Sequence, residues 1–268
     1  QLFRGCWRPR APMCLLIFAH RADPDYPLVL AANRDEFHAR PTAAADFWPE
    51  HPMLLAGRDL EQGGTWMGVT RTGRFAAITN YRDPARTPPA PRSRGELPLD
   101  FLVGDERPDT FLDKLCTRAT EYAGFNLLVG DGENLWYYSN SATESDPRRL
   151  LPGIYGLSNA QLDTPWPKVE VGKHKLRSLL ENGEVADHHR LASVVSDRQT
   201  ADPQDLLRQG LNGEMDQLLS AQFIVTGRYG TRSSTTLWRD KDGQTHWQEL
   251  SYDPAGRVQN SHQAEMAS

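Results

Sequence analysis

Met13-Cys14-Leu15-Leu16-Ile17-Phe18-Ala19, followed after a short turn by Leu28-Val29-Leu30-Ala31-Ala32-Asn33-Arg34-Asp35-Glu36, is the stretch that decides how this chain folds. Residues 15–19 are short, apolar and partly β-branched, which predicts a buried strand. Asp23-Pro24-Asp25-Tyr26-Pro27 supplies turn chemistry, and residues 28–32 predict a second strand, so a hairpin opens the fold. The second strand breaks off into four polar residues, Asn33 to Glu36, as sheet edges do where they open onto a site.

Working outward, residues 41–52 read as a Pro-rich excursion and residues 84–91 as a Pro-rich loop. Between them, residues 63–70 and 74–80 predict a strand pair around Arg71-Thr72-Gly73. A short helix is expected over 100–103 and another over 110–122, N-capped by Asp109. Strands return at 125–129, 135–138 and 154–158, with Gly130-Asp131-Gly132 as a turn. A helix starts at Thr164-Pro165, runs towards Leu179 and stops near Asn182-Gly183, and another covers 190–195. Strands at 222–226, 234–239 and 245–252 close the pattern, the last two joined at Asp242-Gly243. This is not the regular βα alternation of a doubly wound fold. It suits an α+β chain with two antiparallel sheets stacked face to face and helices outside. Residues 14–253 are expected to form a single domain, and residues 254–268 a polar, frayed tail.

Composition narrows the function. The 268 residues are 38% hydrophobic and 24% charged, with a formal net charge of −5. That is enough apolar material for a substantial core and gives no electrostatic footprint for nucleic acid. The longest clean apolar run, residues 13–19, is too short to span a bilayer as a helix. Cys6, Cys14 and Cys116 are an odd count at irregular spacing. They predict neither a disulfide framework nor a zinc site, and fit a reducing, cytoplasmic setting. Residues 1–13 carry Arg4, Arg8 and Arg10 without the apolar stretch of a secretory signal. They read as a leader or a mis-assigned start outside the fold; a short pro-segment would give the same pattern.

Cys14 is the central candidate for chemistry. If translation starts at Met13 and that methionine is removed, Cys14 presents a thiol and a free α-amine on one framework. An α-amine with a pKa of about 7.7–8.0 serves as a base near neutral pH, and a nucleophile paired with its own terminal amine is an established solution for acyl transfer. The alternative is a buried strand cysteine, and the local sequence alone favours it. Arg34 beside Cys14 could stabilise a thiolate, and Asp35 could hold the amine or orient the thiol; a solvated turn with an internal ion pair is the competing reading. Asn80 and Asn159, each at a strand end, are either oxyanion donors or turn formers. Arg232 either binds a carboxylate or phosphate or decorates a hairpin. Cys116 reads as helix packing. The histidines carry no metal signature; His20 and His38 are conceivable haem ligands.

The motifs as a set resemble the NRDE family, the family of the transport-and-Golgi-organisation protein. They are Met13-Cys14-Leu15-Leu16, Ala32-Asn33-Arg34-Asp35-Glu36-Phe37, Arg40-Pro41 and Gly63-Gly64-Thr65-Trp66-Met67-Gly68, then Thr79-Asn80-Tyr81, Arg94-Gly95-Glu96-Leu97 and Gly124-Phe125-Asn126-Leu127, and finally Tyr155-Gly156-Leu157-Ser158-Asn159 and Tyr229-Gly230-Thr231-Arg232. The likeness runs collinearly from about Met13 to Tyr252. It implies a four-layer αββα sandwich of the N-terminal-nucleophile hydrolase type. By further similarity to penicillin V acylases and bile-salt hydrolases, it implies Cys14 as nucleophile and Arg34 and Asp35 as its supports. Asn80 and Asn159 become oxyanion or intermediate ligands, and Arg232 a site arginine. The adjacent Arg34-Asp35 departs from the spacing in those acylases. Two functions follow as expectations: an enzyme that cleaves or transfers a small amide or acyl group without a cofactor, or a haem-trafficking protein on the same fold. The corresponding partners are a small amide or acyl substrate, or haem.

Overall fold

The computed structural model describes residues 14–83, 85–86, 89–144, 146–211 and 213–267; the expected leader, residues 1–13, lies outside them. The opening hairpin forms as expected: β1 (Cys14–His20) pairs antiparallel with β2 (Leu28–Phe37), Cys14 facing Arg34 and Leu16 facing Ala32. The apolar run of β2 continues into its polar end, Asn33 to Glu36, as one strand.

The excursion expected after Pro41 is instead a strand pair, β3 (Thr42–Trp48) and β4 (His51–Asp59). Its register shifts twice, and irregularity of that kind masks the period-2 signal of an ordinary strand. β5 (Met67–Thr70) and β6 (Phe75–Asn80) follow. Next come α1 (Glu96–Val103), α2 (Pro108–Cys116), β7 (Phe125–Gly130), β8 (Leu135–Ser139), β9 (Arg148–Arg149) and β10 (Gly153–Leu157). α3 (Pro167–Glu181) starts on Pro167 with Trp166 as its N-cap, not at the expected Thr164-Pro165, and ends before Gly183, whose φ of 68° only glycine adopts freely. α4 (His188–Ala192), α5 (Pro203–Arg208) and α6 (Glu214–Leu218) are short. β11 (Tyr229–Arg239), β12 (Gln244–Tyr252) and β13 (Val258–Ala267) complete the chain.

Three further expectations are corrected. The tail expected over residues 254–268 does not fray where it is described: residues 258–267 form β13, paired with β12 along its length. As an edge strand it is mostly exposed, which is why it reads as a polar tail. Residues 222–226 form no strand and contribute only an isolated bridge, Val225 to Gly230. Cys116, expected as helix packing, is exposed at the end of α2 with its thiol against Tyr138.

The strands make a six-stranded sheet, β10-β1-β2-β11-β12-β13, and a seven-stranded sheet, β3-β4-β5-β6-β7-β8-β9, each wholly antiparallel. Strand alternation sorts their side chains into three apolar layers. Leu16, Phe18, Leu30, Leu55, Val69, Leu128, Leu237 and Trp247 fill the space between the sheets. Leu15, Ile17, Val29 and Ala31 face outward beneath α3 and α4. Leu54, Ala76, Leu127 and Val129 face outward beneath α1 and α2. The result is the four-layer αββα sandwich that the motifs implied.

Candidate active site

Cys14 opens β1 on the inward face, 8% exposed. Its sulfur borders a cavity of about 10 Å³ walled by Arg34, Trp66, Met67, Ile78 and Thr235, room for about one water. Burial and the nearby Asp35 charge push the thiol up to about 12, against a hydrogen bond from the Asp35 main chain and the charge of Arg34. With its nitrogen held in a peptide bond, Cys14 is therefore a resting thiol rather than a thiolate.

The main-chain nitrogen of Cys14 donates to Asn159 Oδ1 at 3.2 Å, and Ser158 Oγ donates to the Cys14 carbonyl at 2.8 Å. Asn159 Nδ2 donates to the Asn80 carbonyl at 2.8 Å. The loop after β10 thus binds the start of β1 to the end of β6. A buried polar network braces that loop from the other sheet. Tyr137 OH donates to Asn126 Oδ1 at 2.7 Å, Asn126 Nδ2 donates to the Ala160 carbonyl at 2.9 Å, and Thr79 Oγ1 donates to the Ser158 carbonyl at 2.7 Å.

Arg34 points inward with its guanidinium 4.1 Å over the Trp66 ring, donating to Thr42 Oγ1 at 3.2 Å and standing 3.8 Å from Glu36. A guanidinium stacked on an indole keeps its charge in a partly dry site. Trp66 in turn lies against Gly57, where an added Cβ would meet the indole at 2.2 Å. Asp35, one position beyond the Cys14–Arg34 pair, is 1% exposed. Its Oδ1 accepts from Thr231 Oγ1 at 2.7 Å, and its Oδ2 has no hydrogen-bond partner among the described residues. Burial pushes its carboxyl up to about 7, with Lys168 the main influence pulling it back.

Of the six expected residues, Cys14, Arg34, Asp35 and Asn159 meet around the start of β1, with Asn80 contributing its carbonyl to Asn159. Arg232 sits beside this group, at the bulge of β11. Its Nη1 donates to the carbonyls of Phe37 and Arg40 at 2.8 and 3.2 Å, closing the turn after β2. Four neighbours were not singled out from the sequence. Arg94 is pulled down to about 10 by burial and feels the Cys14 and Glu36 charges. Glu249 is pushed up to about 7 by burial while accepting from the Ala45 N–H at 2.7 Å. Lys168 and Asn126 are likewise buried. A signal existed for Glu249, which shares the inward period of Thr245 and Trp247 on β12. Lys168 was marked by being a cation in the first turn of a helix.

His20 and His38 lie beyond opposite ends of β2, so its length, roughly 30 Å, separates them. They do not fit one haem iron together. Among the described residues no cluster of three or more His, Cys, Asp or Glu could hold a metal, and no helix is long and apolar enough to cross a membrane.

Two stacked antiparallel sheets between helical layers, opening on a cysteine-led strand, define the N-terminal-nucleophile hydrolase fold. A mutant conjugated bile acid hydrolase from Clostridium perfringens superposes on it with a TM-score of 0.52, covering 94% of this chain and 92% of that one at 8% identity. At that identity the likeness is one of fold. The chain itself belongs to the Transport and Golgi organisation 2 family, whose model matches residues 13–254. It is 38% identical to the Transport and Golgi organization protein 2 homologs of Bos taurus and Homo sapiens, each over 258 residues, covering 89% of this chain and 93% of each relative.

Proposed function

We propose that this protein is an amidohydrolase or acyl-transfer enzyme whose nucleophile is Cys14, freed as the first residue. The observation that carries the reading is the surroundings of the Cys14 nitrogen. It rests 3.2 Å from Asn159 Oδ1, and the buried Asp35 carboxyl, whose charge bears on the Cys14 thiol, has one oxygen without a hydrogen-bond partner among the described residues. A peptide N–H uses only the first of these acceptors; an α-ammonium uses more.

With residues 1–13 removed, the α-amine of Cys14 takes the thiol proton. The sulfur attacks the substrate carbonyl carbon, and charge builds on the carbonyl oxygen. The Asn80 carboxamide is the donor proposed for that oxygen. As the tetrahedral intermediate collapses, the bond to the leaving amine breaks and the α-ammonium returns its proton to that amine. Water then attacks the thioester carbonyl as the α-amine takes its proton; the carbon–sulfur bond breaks, the α-ammonium returns that proton to the departing Cys14 sulfur, and the carboxylic acid is released. Arg34 and Arg94 supply positive charge beside the sulfur. The cavity beside Cys14 holds only about one water, so a small amide or acyl group is the substrate class proposed for it.

Intact mass of the protein from its natural source tests the first step, and Cys14 as residue one is expected. An acylating probe should then label Cys14 and fail on Cys14→Ala. A retained leader, or labelling that persists in the variant, overturns the reading. Haem binding is the competing function, and a Soret titration saturating at a defined stoichiometry would favour it.

A further inference from the structure

The outer face of the six-stranded sheet carries an ammonium that the proposed reaction leaves without a task. Lys168 stands in the first turn of α3 and is 4% exposed. Burial removes its water, and the first helical turn presents the positive end of the backbone dipole, so both disfavour a cation there. Its Nζ donates to the Leu219 carbonyl at 3.1 Å. That neutral acceptor and the Trp166 ring, its centroid 5.8 Å from Nζ, leave the charge without a counter-ion.

Asp216 lines the same pocket as Lys168 but is bound by Arg82 at 2.7 Å, and the buried carboxyl left with an unanswered oxygen among the described residues is Asp35. Residues 219–224 run past Lys168 and Asp35. Leu219 holds the Lys168 ammonium, and Gln222 Nε2 donates to the Lys168 carbonyl at 2.9 Å. Asn33 Nδ2, on β2 beside the site, donates to the Gln222 carbonyl at 2.8 Å. The Ile224 N–H donates at 2.9 Å to Thr231 Oγ1, whose own hydroxyl donates to Asp35 Oδ1. Burial pushes the Lys168 ammonium down, and Asp35 is the main influence holding it up. The other charged groups that bear on Asp35 are Arg34 and Glu36 of β2; Cys14 of β1 feels Asp35 and itself bears on Lys168.

We propose that Lys168 is a positioning residue of the Cys14 centre, its buried ammonium serving as counter-charge to the Asp35 carboxylate beside the start of β1. Its catalytic consequence rests on the nucleophile reading of Cys14; the charge pair does not. Lys168 acts through Asp35 and touches no substrate.

The test is the titration of the Asp35 carboxyl carbon by NMR in the full chain, assigned with Asp35→Asn. Lys168→Gln can still donate to Leu219 but carries no charge, and should raise the Asp35 midpoint by about one pH unit, a tenfold change in its ionisation constant. Lys168→Arg should leave the midpoint within about half a unit. An unmoved midpoint in Lys168→Gln overturns the pairing. If that variant does not fold, Lys168→Arg carries the test, because a full-unit rise with charge retained also overturns it. The acid limb of Cys14 acylation should move with the midpoint. Acylation of Lys168→Gln with an unchanged pH profile overturns the positioning role. Absence of acylation in the wild type, with the midpoint shift intact, sinks the nucleophile reading instead and leaves the charge pair standing.

Discussion

Asn159 Oδ1 receives the main-chain N–H of Cys14 at 3.2 Å, across 145 positions of sequence. The same carboxamide donates to the Asn80 carbonyl, so a single side chain sets the start of β1 against the end of β6. Asn159→Ala leaves a buried donor and acceptor unanswered. A stability loss of about 1–3 kcal/mol is expected in urea denaturation. Acylation of Cys14 should fall by about a hundredfold. A variant that is destabilised yet acylates at the wild-type rate would separate Asn159 from the chemistry.

Glu249 makes stability depend on pH in a definite direction. Its carboxyl is raised from its ordinary value to about 7 by burial, so the folded chain binds its proton more tightly than the unfolded chain. The stability linked to that proton is present below the ordinary carboxylate range and is lost as pH rises through about 7. Asp35, raised to about 7 by burial, contributes with the same sign. Glu249→Gln keeps an acceptor for the Ala45 N–H and removes the ionisation. Urea midpoints at pH 5 and pH 8 should therefore differ less in Glu249→Gln than in the wild type; an equal difference contradicts the assignment.

Much of the fold was legible because strands β1 and β2 are buried on both faces and read as continuous apolar runs. The helix stop at Gly183 and the turn at Gly243, with φ of 68° and 84°, were legible because only glycine adopts such angles freely. β13 was not, since a strand covered on one edge needs little apolar content to pair. Cys14, Arg34 and Asp35 were visible as a cluster because the hairpin register is local. Lys168 and Glu249 reach the site through packing between distant elements, which no single window of sequence records.

Close approach of α3 to β1 gives a third test. At Gly172 an added Cβ would sit 2.6 Å from Ile17 Cγ1. Gly172→Ala gains helix propensity yet must displace Ile17, and a net loss of about 1–3 kcal/mol is expected from overpacking. A melting temperature at or above that of the wild type would show that the interface yields.

Trp66 supplies the fourth. Trp66→Ala removes the ring beneath the Arg34 guanidinium and opens the cavity beside Cys14. Bulkier acylating probes should gain in rate relative to small ones, by about tenfold, the scale on which a pocket discriminates one methylene. Equal loss for all probe sizes would mean that the ring sets charge and not width.

Gly57 stands behind that same ring, where an added methyl would collide with the indole. The indole carries Arg34 on its face, and Arg34 faces Cys14 in register. Pocket size and thiol electrostatics therefore share one mechanical part. Under the proposed nucleophile role of Cys14, a substitution that retunes which acyl groups enter also retunes how readily the sulfur ionises, so the two traits would not drift independently.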